Sequence, residues 1–336
     1  MEALEQEQKA APSAYGKDVR LPKIGLALGS GVARGWAHIG VLRALRKIGI
    51  EPDIICGCSI GAVVGGIYLA NKLDELEEWA RDLTKLKIVS YLDLKVRDGG
   101  IIGGGRIGQE IYKHLGEIKI EELPKAFAAV TADMVTGHEI WLRNGLLKDA
   151  IQASFALPGI FPPVNVDKRW LVDGALVNPV PVSVCRSLGA EMVIAVNLNA
   201  DLLGKVRRPD MSVPTVTGFD LVSLVDEHRN GAVPVISKKG LLDSFTQRLF
   251  QRDSDGPSLF GVLVNTINIM QDRIARARLA GDPPDVQITP RLGHVGLLEF
   301  DRAAEAITEG EAAVQRAETE LGDAFRVFFR KGSASG

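Results

Sequence analysis

Residues 25–42 read GLALGSGVARGWAHIGVL. Ile24, Leu26 and Leu28 alternate with small residues, and glycines follow at 29, 31 and 35. That pattern predicts a buried strand running into a glycine turn. From Trp36 to Ile48 the apolar residues Ile39, Leu42, Leu45 and Ile48 recur at threes, which predicts a helix; Gly49 ends it and Pro52 bars its return. Asp53-Ile54-Ile55-Cys56-Gly57 is the next short apolar strand. Strand, turn, helix, strand predicts two parallel neighbours joined by a right-handed crossover.

The alternation continues along the chain. Leu73, Leu76, Trp79, Ala80 and Leu83 mark an amphipathic helix. Residues 126–131, 139–142, 170–173 and 192–198 read as strands, and 146–155 as a helix that stops before Pro158. A layered α/β core to about residue 200 is expected. From 203 to 234 the chain is loop-rich. Leu241, Leu242, Phe245, Leu249 and Phe250 share one helical face over 240–252. Residues 265–280 are expected to be helical, 285–290 to hold a late strand, and 300–321 to form one long helix. Ile54 to Asn71 carries no charge, but its four glycines, serine and two cysteines suit a strand and a helix better than a membrane span.

Directly after the second strand comes Gly57-Cys58-Ser59-Ile60-Gly61, a G-x-S-x-G pattern between strand and helix. A serine there sits on a tight turn with its hydroxyl projecting, at a helix N-terminus that favours developing negative charge. Both glycine turns would lie at the carboxyl edge of one sheet, where open α/β sheets carry their sites. Acyl transfer needs donors aimed at a tetrahedral oxyanion. Gly31 and Val32 offer amide N–H groups and Arg34 adds charge. Val32 is β-branched and is expected to avoid positive φ. The dinucleotide fingerprint would need glycine at position 34, and no Lys-Ser/Thr follows the turn, so neither phosphate motif fits. A G-x-G-x-x-x-G spacing still leaves a nucleotide-binding reading open. For a base, Asp173-Gly174-Ala175 ends an apolar strand, and partial burial would raise the proton affinity of Asp173.

Gly29-Ser30-Gly31-Val32-Ala33-Arg34-Gly35, Gly57-Cys58-Ser59-Ile60-Gly61, the segment 153–163 (ASFALPGIFPP) and Asp173-Gly174-Ala175, in that order, resemble the patatin-like phospholipase family. The resemblance covers residues 24–200. It implies a three-layer α/β/α fold with a central, mostly parallel sheet, and lipid acyl hydrolysis of the phospholipase A or lysophospholipase kind. It also implies Ser59 as nucleophile, Asp173 as general base, and an oxyanion hole from Gly29, Ser30, Gly31, Val32 and Arg34. Gly57, Gly61 and Gly174 support the motifs. No metal or other cofactor is required. Where the family often has an unbroken glycine run, this chain carries Ser30 and Val32, which puts the donor set in question.

The expected organisation is a disordered tail over 1–20, a catalytic domain over 21–200, and a loop-rich insertion with a mainly helical region over 201–336. The acidic, polar N-terminus has no apolar core of a signal peptide. With 46% hydrophobic and 24% charged residues and a net charge of −2, a globular protein with no affinity for nucleic acid is expected. Cys56, Cys58 and Cys185 form no CxxC pair, so a reducing compartment, the cytoplasm, is expected. The expected partner is a lipid substrate, and the locally basic, apolar-faced helix at 240–252 is expected to lie on the inner membrane face or to cover the acyl site as a lid. Core packing of that helix is the competing reading. Cys58 is expected to point away from the nucleophile and His38 to be structural. Two functional alternatives stand: a non-catalytic lipid- or nucleotide-binding regulator, and a Ser-His-Asp esterase using His228 or His294. Oligomeric state is open.

Overall fold

The computed structural model describes residues 22–91, 110, 115–201 and 259–332. The tail at 1–20, the loop-rich run at 203–234 and the amphipathic segment at 240–252 lie outside them. One eight-stranded sheet organises the rest. Its strands are β1 (Ile24–Leu28), β2 (Ile54–Cys58), β3 (Ala126–Asp133), β4 (Glu139–Leu142), β5 (Val164–Val166), β6 (Arg169–Asp173), β7 (Met192–Val196) and β8 (Val286–Ile288). β8, β7, β1, β2 and β3 run parallel in that spatial order. β4 and β6 pair antiparallel with β3, and β5 with β6. The sheet is therefore mixed, with its parallel half as expected.

The period of two in the strands decides the layers. Leu26 and Leu28 of β1 share one buried cluster with Ile39 and Leu42 of α1 (Ala37–Lys47) and Val63 and Ile67 of α2 (Ile60–Leu69). Ala27, Ile54 and Cys56 face the other way. They pack with Val184 and Cys185 in the short helix at Val182–Ser187 and with Ala275 in the helix at Leu259–Gly281. Helices cover both faces, as a largely parallel sheet requires. The uncharged run from Ile54 to Asn71 is β2 followed by α2, and no helix among the described residues is long and apolar enough to cross a membrane.

The edge of β3 is divided. Ala129 and Val130 pair with Gly57 and Cys58 of β2 and also with Leu142 and Trp141 of β4. Thr131 and Ala132 pair with Ile140 and Glu139 of β4 and also with Asp173 and Val172 of β6. A strand has only two edges, so β4 holds one while β2 and β6 share the other, end to end. β2 runs with β3 and β6 against it. Their last residues, Cys58 and Asp173, therefore face adjacent positions of β3.

The remaining helices are α3 (Leu73–Arg81), α4 (Lys85–Tyr91), α5 (Leu147–Ser154), α6 (Val182–Ser187), α7 (Leu259–Gly281), α8 (Ala303–Arg316) and α9 (Glu318–Gly332). β8 comes from beyond the boundary expected at residue 200, and it extends the sheet rather than standing apart from it. The single helix expected over 300–321 is broken. A 3₁₀ turn at Phe300–Arg302 precedes α8, and the chain tightens at Ala317, whose N–H reaches the Ala313 and Val314 carbonyls, before α9 begins. Leu321, on α9, is buried.

α8 crosses α1 at very close range. A Cβ on Gly310 would collide with the Ala37 carbonyl, and one on Gly40 with the Ile307 carbonyl. Gly310→Leu is expected to force the helices apart and cost about 1–3 kcal/mol. Thermal unfolding followed by circular dichroism would register a lower Tm; an unchanged Tm would contradict so close a crossing.

Candidate active site

Ser59 lies between the end of β2 and the start of α2, at φ 56° and ψ −126°. A non-glycine residue in that region costs roughly 1–3 kcal/mol and persists only where its surroundings over-determine it. The surroundings are visible on every side. The Ser59 amide donates to Ser154 Oγ at 2.9 Å, and Ser154 Oγ donates in turn to the Val130 carbonyl at 2.6 Å. The Ser59 hydroxyl donates to Asp173 Oδ2 at 2.6 Å. A side chain at Gly57 would strike Ala62, one at Gly61 the Leu28 carbonyl, and one at Gly174 the Val130 carbonyl. The motif glycines are the condition for α2, β1 and the Asp173 turn to converge on Ser59.

Asp173 ends β6 and is fully buried. Its backbone N–H donates to the Ala156 carbonyl at 2.9 Å, and its Oδ1 accepts the Ala175 N–H at 2.8 Å. Burial pushes its carboxyl up from the usual carboxylate range to about 7, against the opposing pull of the Ser59 hydroxyl and the Ala175 amide. The Cys58 thiol does not point away from this pair: its Sγ lies 4.0 Å from Asp173 Oδ1. Alternation along β2 puts Cys58 on the face of Ala175 and Val130, the same face that receives the Asp173 turn. Burial first, and the nearby Asp173 charge second, raise that thiol well above its ordinary value, so it remains protonated.

The glycine turn after β1 is largely committed to its own folding. Gly29 N–H donates to the Val196 carbonyl at 3.0 Å, Ser30 N–H to Pro179 at 2.9 Å, Ala33 N–H to Leu297 at 3.2 Å and Arg34 N–H to Gly31 at 3.1 Å. Gly29, Ser30 and Arg34 thus have no backbone donor to spare, which narrows the expected set. The amides of Gly31 and Val32 have no acceptor among the described residues. Val32, contrary to expectation, sits at φ 49°. The bonded amides of its neighbours Ala33 and Arg34 hold it there. Ser30 contributes its hydroxyl instead, accepting from Asn199 Nδ2 at 3.3 Å.

His38 and Arg34 take opposite parts around this turn. His38 is buried, and burial lowers its pKa to about 4, so the neutral ring donates from Nε2 to the Gly29 carbonyl at 2.8 Å. It clamps the turn, and its Nδ1 has no hydrogen-bond partner among the described residues. Arg34 is buried too, with no acceptor for Nε or Nη1 and no carboxylate beside it among the described residues. Burial lowers its pKa to about 10, which leaves it cationic near neutrality. An unpaired buried cation is costly, and negative charge arriving nearby would relieve it. His294 is on the surface, bonded to Glu305 at 2.6 Å, and His228 lies outside the described residues. Among the described residues no group of three or more His, Cys, Asp and Glu could hold a metal ion. Sequence reading missed Ser154 and Asn199. Ser154 lies inside the segment 153–163 that was singled out, but a serine near a helix end has too many ordinary uses to be assigned a partner from sequence.

The family model described as patatin-like phospholipase matches residues 26–186. An NTE family protein of Mycobacterium tuberculosis is 37% identical over 332 residues, spanning 88% of this chain and 91% of that protein. The neuropathy target esterase sws of Drosophila melanogaster is 33% identical over 184 residues, spanning 53% of this chain and 13% of that protein. Among solved structures, human GIVD cytosolic phospholipase A2 aligns with a TM-score of 0.47 at 13% identity, over 98% of this chain and 63% of that one.

The Asp173 carboxyl gives a stability test whose sign is fixed. Its folded pKa of about 7 exceeds the ordinary 3.8, so the folded state holds the proton more tightly and stability falls as pH rises between those values. Asp173→Asn removes that cost while keeping the shape. The variant is expected to gain Tm over the wild type progressively from about pH 4 to about pH 7, after which the gain levels. A variant less stable than the wild type at pH 8 would contradict a dry carboxylate.

Proposed function

The chain belongs to the patatin-like phospholipase family, and from that premise we propose that it hydrolyses carboxylic esters of lipids through a serine–aspartate dyad and an acyl-enzyme. The observation that carries this reading is the 2.6 Å hydrogen bond from the Ser59 hydroxyl to a buried carboxylate whose pKa is pushed to about 7. An ordinary carboxylate is too weak a base for a serine hydroxyl; one that burial has raised toward the working pH suits the task.

Ser59 Oγ attacks the ester carbonyl carbon while Asp173 Oδ2 takes the hydroxyl proton. The carbonyl oxygen becomes an oxyanion. The unbonded amides of Gly31 and Val32, with the N-terminus of α2, are the donors proposed to meet it, and the Arg34 charge adds to the field. Collapse expels the alcohol, which receives the proton from Asp173. Water, deprotonated by the same carboxylate, then attacks the acyl carbon and frees Ser59. The Ser-His-Asp alternative has no support from His38, whose ring is committed to Gly29, or from His294, which faces Glu305. Three free cysteines suit a reducing compartment, and the proposed setting is the cytoplasm, with lipid reached at the inner membrane face.

A fluorophosphonate probe separates this reading from a binding role: it is expected to label Ser59, and Ser59→Ala to abolish labelling. Asp173→Asn is expected to lower kcat by about 10³ or more, and His294→Asn to leave it unchanged. Retained turnover in Asp173→Asn would sink the dyad. Because only ionised Asp173 can take the proton, kcat/KM should rise through about pH 7 and level above it.

A further inference from the structure

The chain between the end of α5 and Ala156 touches the backbone of both dyad residues. Ser154 closes α5, and its hydroxyl accepts the Ser59 N–H at 2.9 Å while donating to the Val130 carbonyl at 2.6 Å. Two residues on, the Ala156 carbonyl accepts the Asp173 N–H at 2.9 Å. Ser154 is fully buried, in a core where its hydroxyl would be expensive unless both of its bonds were made.

Its position explains why it is needed. Cys58 is the last residue of β2 paired with β3, opposite Val130. At the next step β3 is taken over by β6, with Thr131 opposite Asp173. β2 must leave the sheet there, and the departure strands the Ser59 donor and the Val130 acceptor. The Ser154 hydroxyl stands between the two, satisfying one and the other. It thereby allows β3 to change partners between consecutive residues, and it does so at the residue whose φ is 56°.

We propose that Ser154 is a positioning residue for the ester hydrolysis: its hydroxyl, relayed to Val130, holds the Ser59 backbone in the strained conformation that aims Oγ at Asp173. The proposal rests on the serine–aspartate reading for its effect on rate, but not for its effect on the backbone. It differs from a packing role because Ser154→Ala removes one oxygen and leaves the α5 contacts in place. Misplacing a reacting atom by about 1 Å can cost about 10²-fold in rate.

The test uses Ser154→Ala in the full chain, with a soluble short-chain ester and the fluorophosphonate probe. The kcat and the phosphonylation rate should fall about 10- to 100-fold with KM unchanged. In parallel, amide hydrogen exchange should show the Ser59 N–H exchanging at least about tenfold faster, while the Ala62 and Val63 amides, bonded to the Ser59 carbonyl, keep their protection. An unchanged kcat, or a Ser59 amide that exchanges as in the wild type, overturns the proposal. So does a general loss of protection across α2 and β2, which would mark Ser154 as ordinary packing. A wild-type chain inert to probe and ester would instead overturn the hydrolase reading and with it the rate effect. The exchange of the Ser59 amide would then still decide whether Ser154 fixes that backbone.

Discussion

The arrangement on which the rest depends is the shared edge of β3. A parallel strand and an antiparallel strand arrive from opposite directions and stop at consecutive residues, Val130 and Thr131. Each strand ends with its chain turning away, and each turn delivers one member of the pair, Ser59 or Asp173. The separation of their side chains is thus set by backbone register and not by long flexible side chains. A register slip of one residue in either ladder would reverse the facing of every side chain in that strand and separate the hydroxyl from the carboxylate. The alternation of Ala27, Ile54, Cys56 and Cys58 on one face with Leu26, Leu28 and Ile55 on the other makes such a slip expensive, because both faces are buried.

The same convergence produces the site's electrostatics. Three close approaches, at Gly57, Gly61 and Gly174, exclude water by bringing backbone against backbone. The carboxylate left inside is dry and the guanidinium of Arg34 nearby in sequence to the turn is dry as well, and neither has an ionic partner among the described residues. Folding would be easier if the two neutralised each other. The proposed chemistry uses their separation, with one as a base and the other as a receptor for negative charge. Strain at Ser59 and Val32 has the same character, since both depart from the backbone that their side chains prefer. Unfavourable groups concentrated in one place are expected of a site built for chemistry.

Much of this was legible in the sequence because the determining signals are local. Strand alternation and glycine spacing predicted β1, α1 and β2 nearly to the residue and the start of α2, and G-x-S-x-G between a strand and a helix singled out Ser59. Asp173 could be proposed from a strand end followed by glycine. What could not be read was anything decided between distant segments. Which amides of the glycine turn remain free depends on Val196, Pro179 and Leu297, more than a hundred residues away. Cys58 faces Asp173 because of which sheet face receives the Asp173 turn. The positive φ of Val32 contradicts its intrinsic preference and is imposed by neighbours. The break at Ala317 is likewise a tertiary effect, invisible in a helical pattern that continues through it.

The region beyond residue 200 reads from its sequence as an appendage, yet its contacts bear on the site. α7 brings Ala275 against Ala175 and Cys58 in one buried cluster. Arg278 on the same helix donates to the Val177 carbonyl at 3.1 Å and to Glu139 Oε2 at 2.6 Å, while Asn178 Nδ2 reaches Glu139 Oε1 at 2.8 Å. One cation therefore ties the chain just past the Asp173 turn to β4, on the opposite edge of β3. Leu297 supplies the carbonyl that fixes Ala33, and Phe300 accepts the Trp36 indole N–H at 3.2 Å. The Leu297 bond sits beside the positive φ of Val32, and the Arg278 bonds tie down the chain after Asp173. The first 200 residues supply every group proposed for the chemistry, and the later ones add bonds to the turns beside those groups.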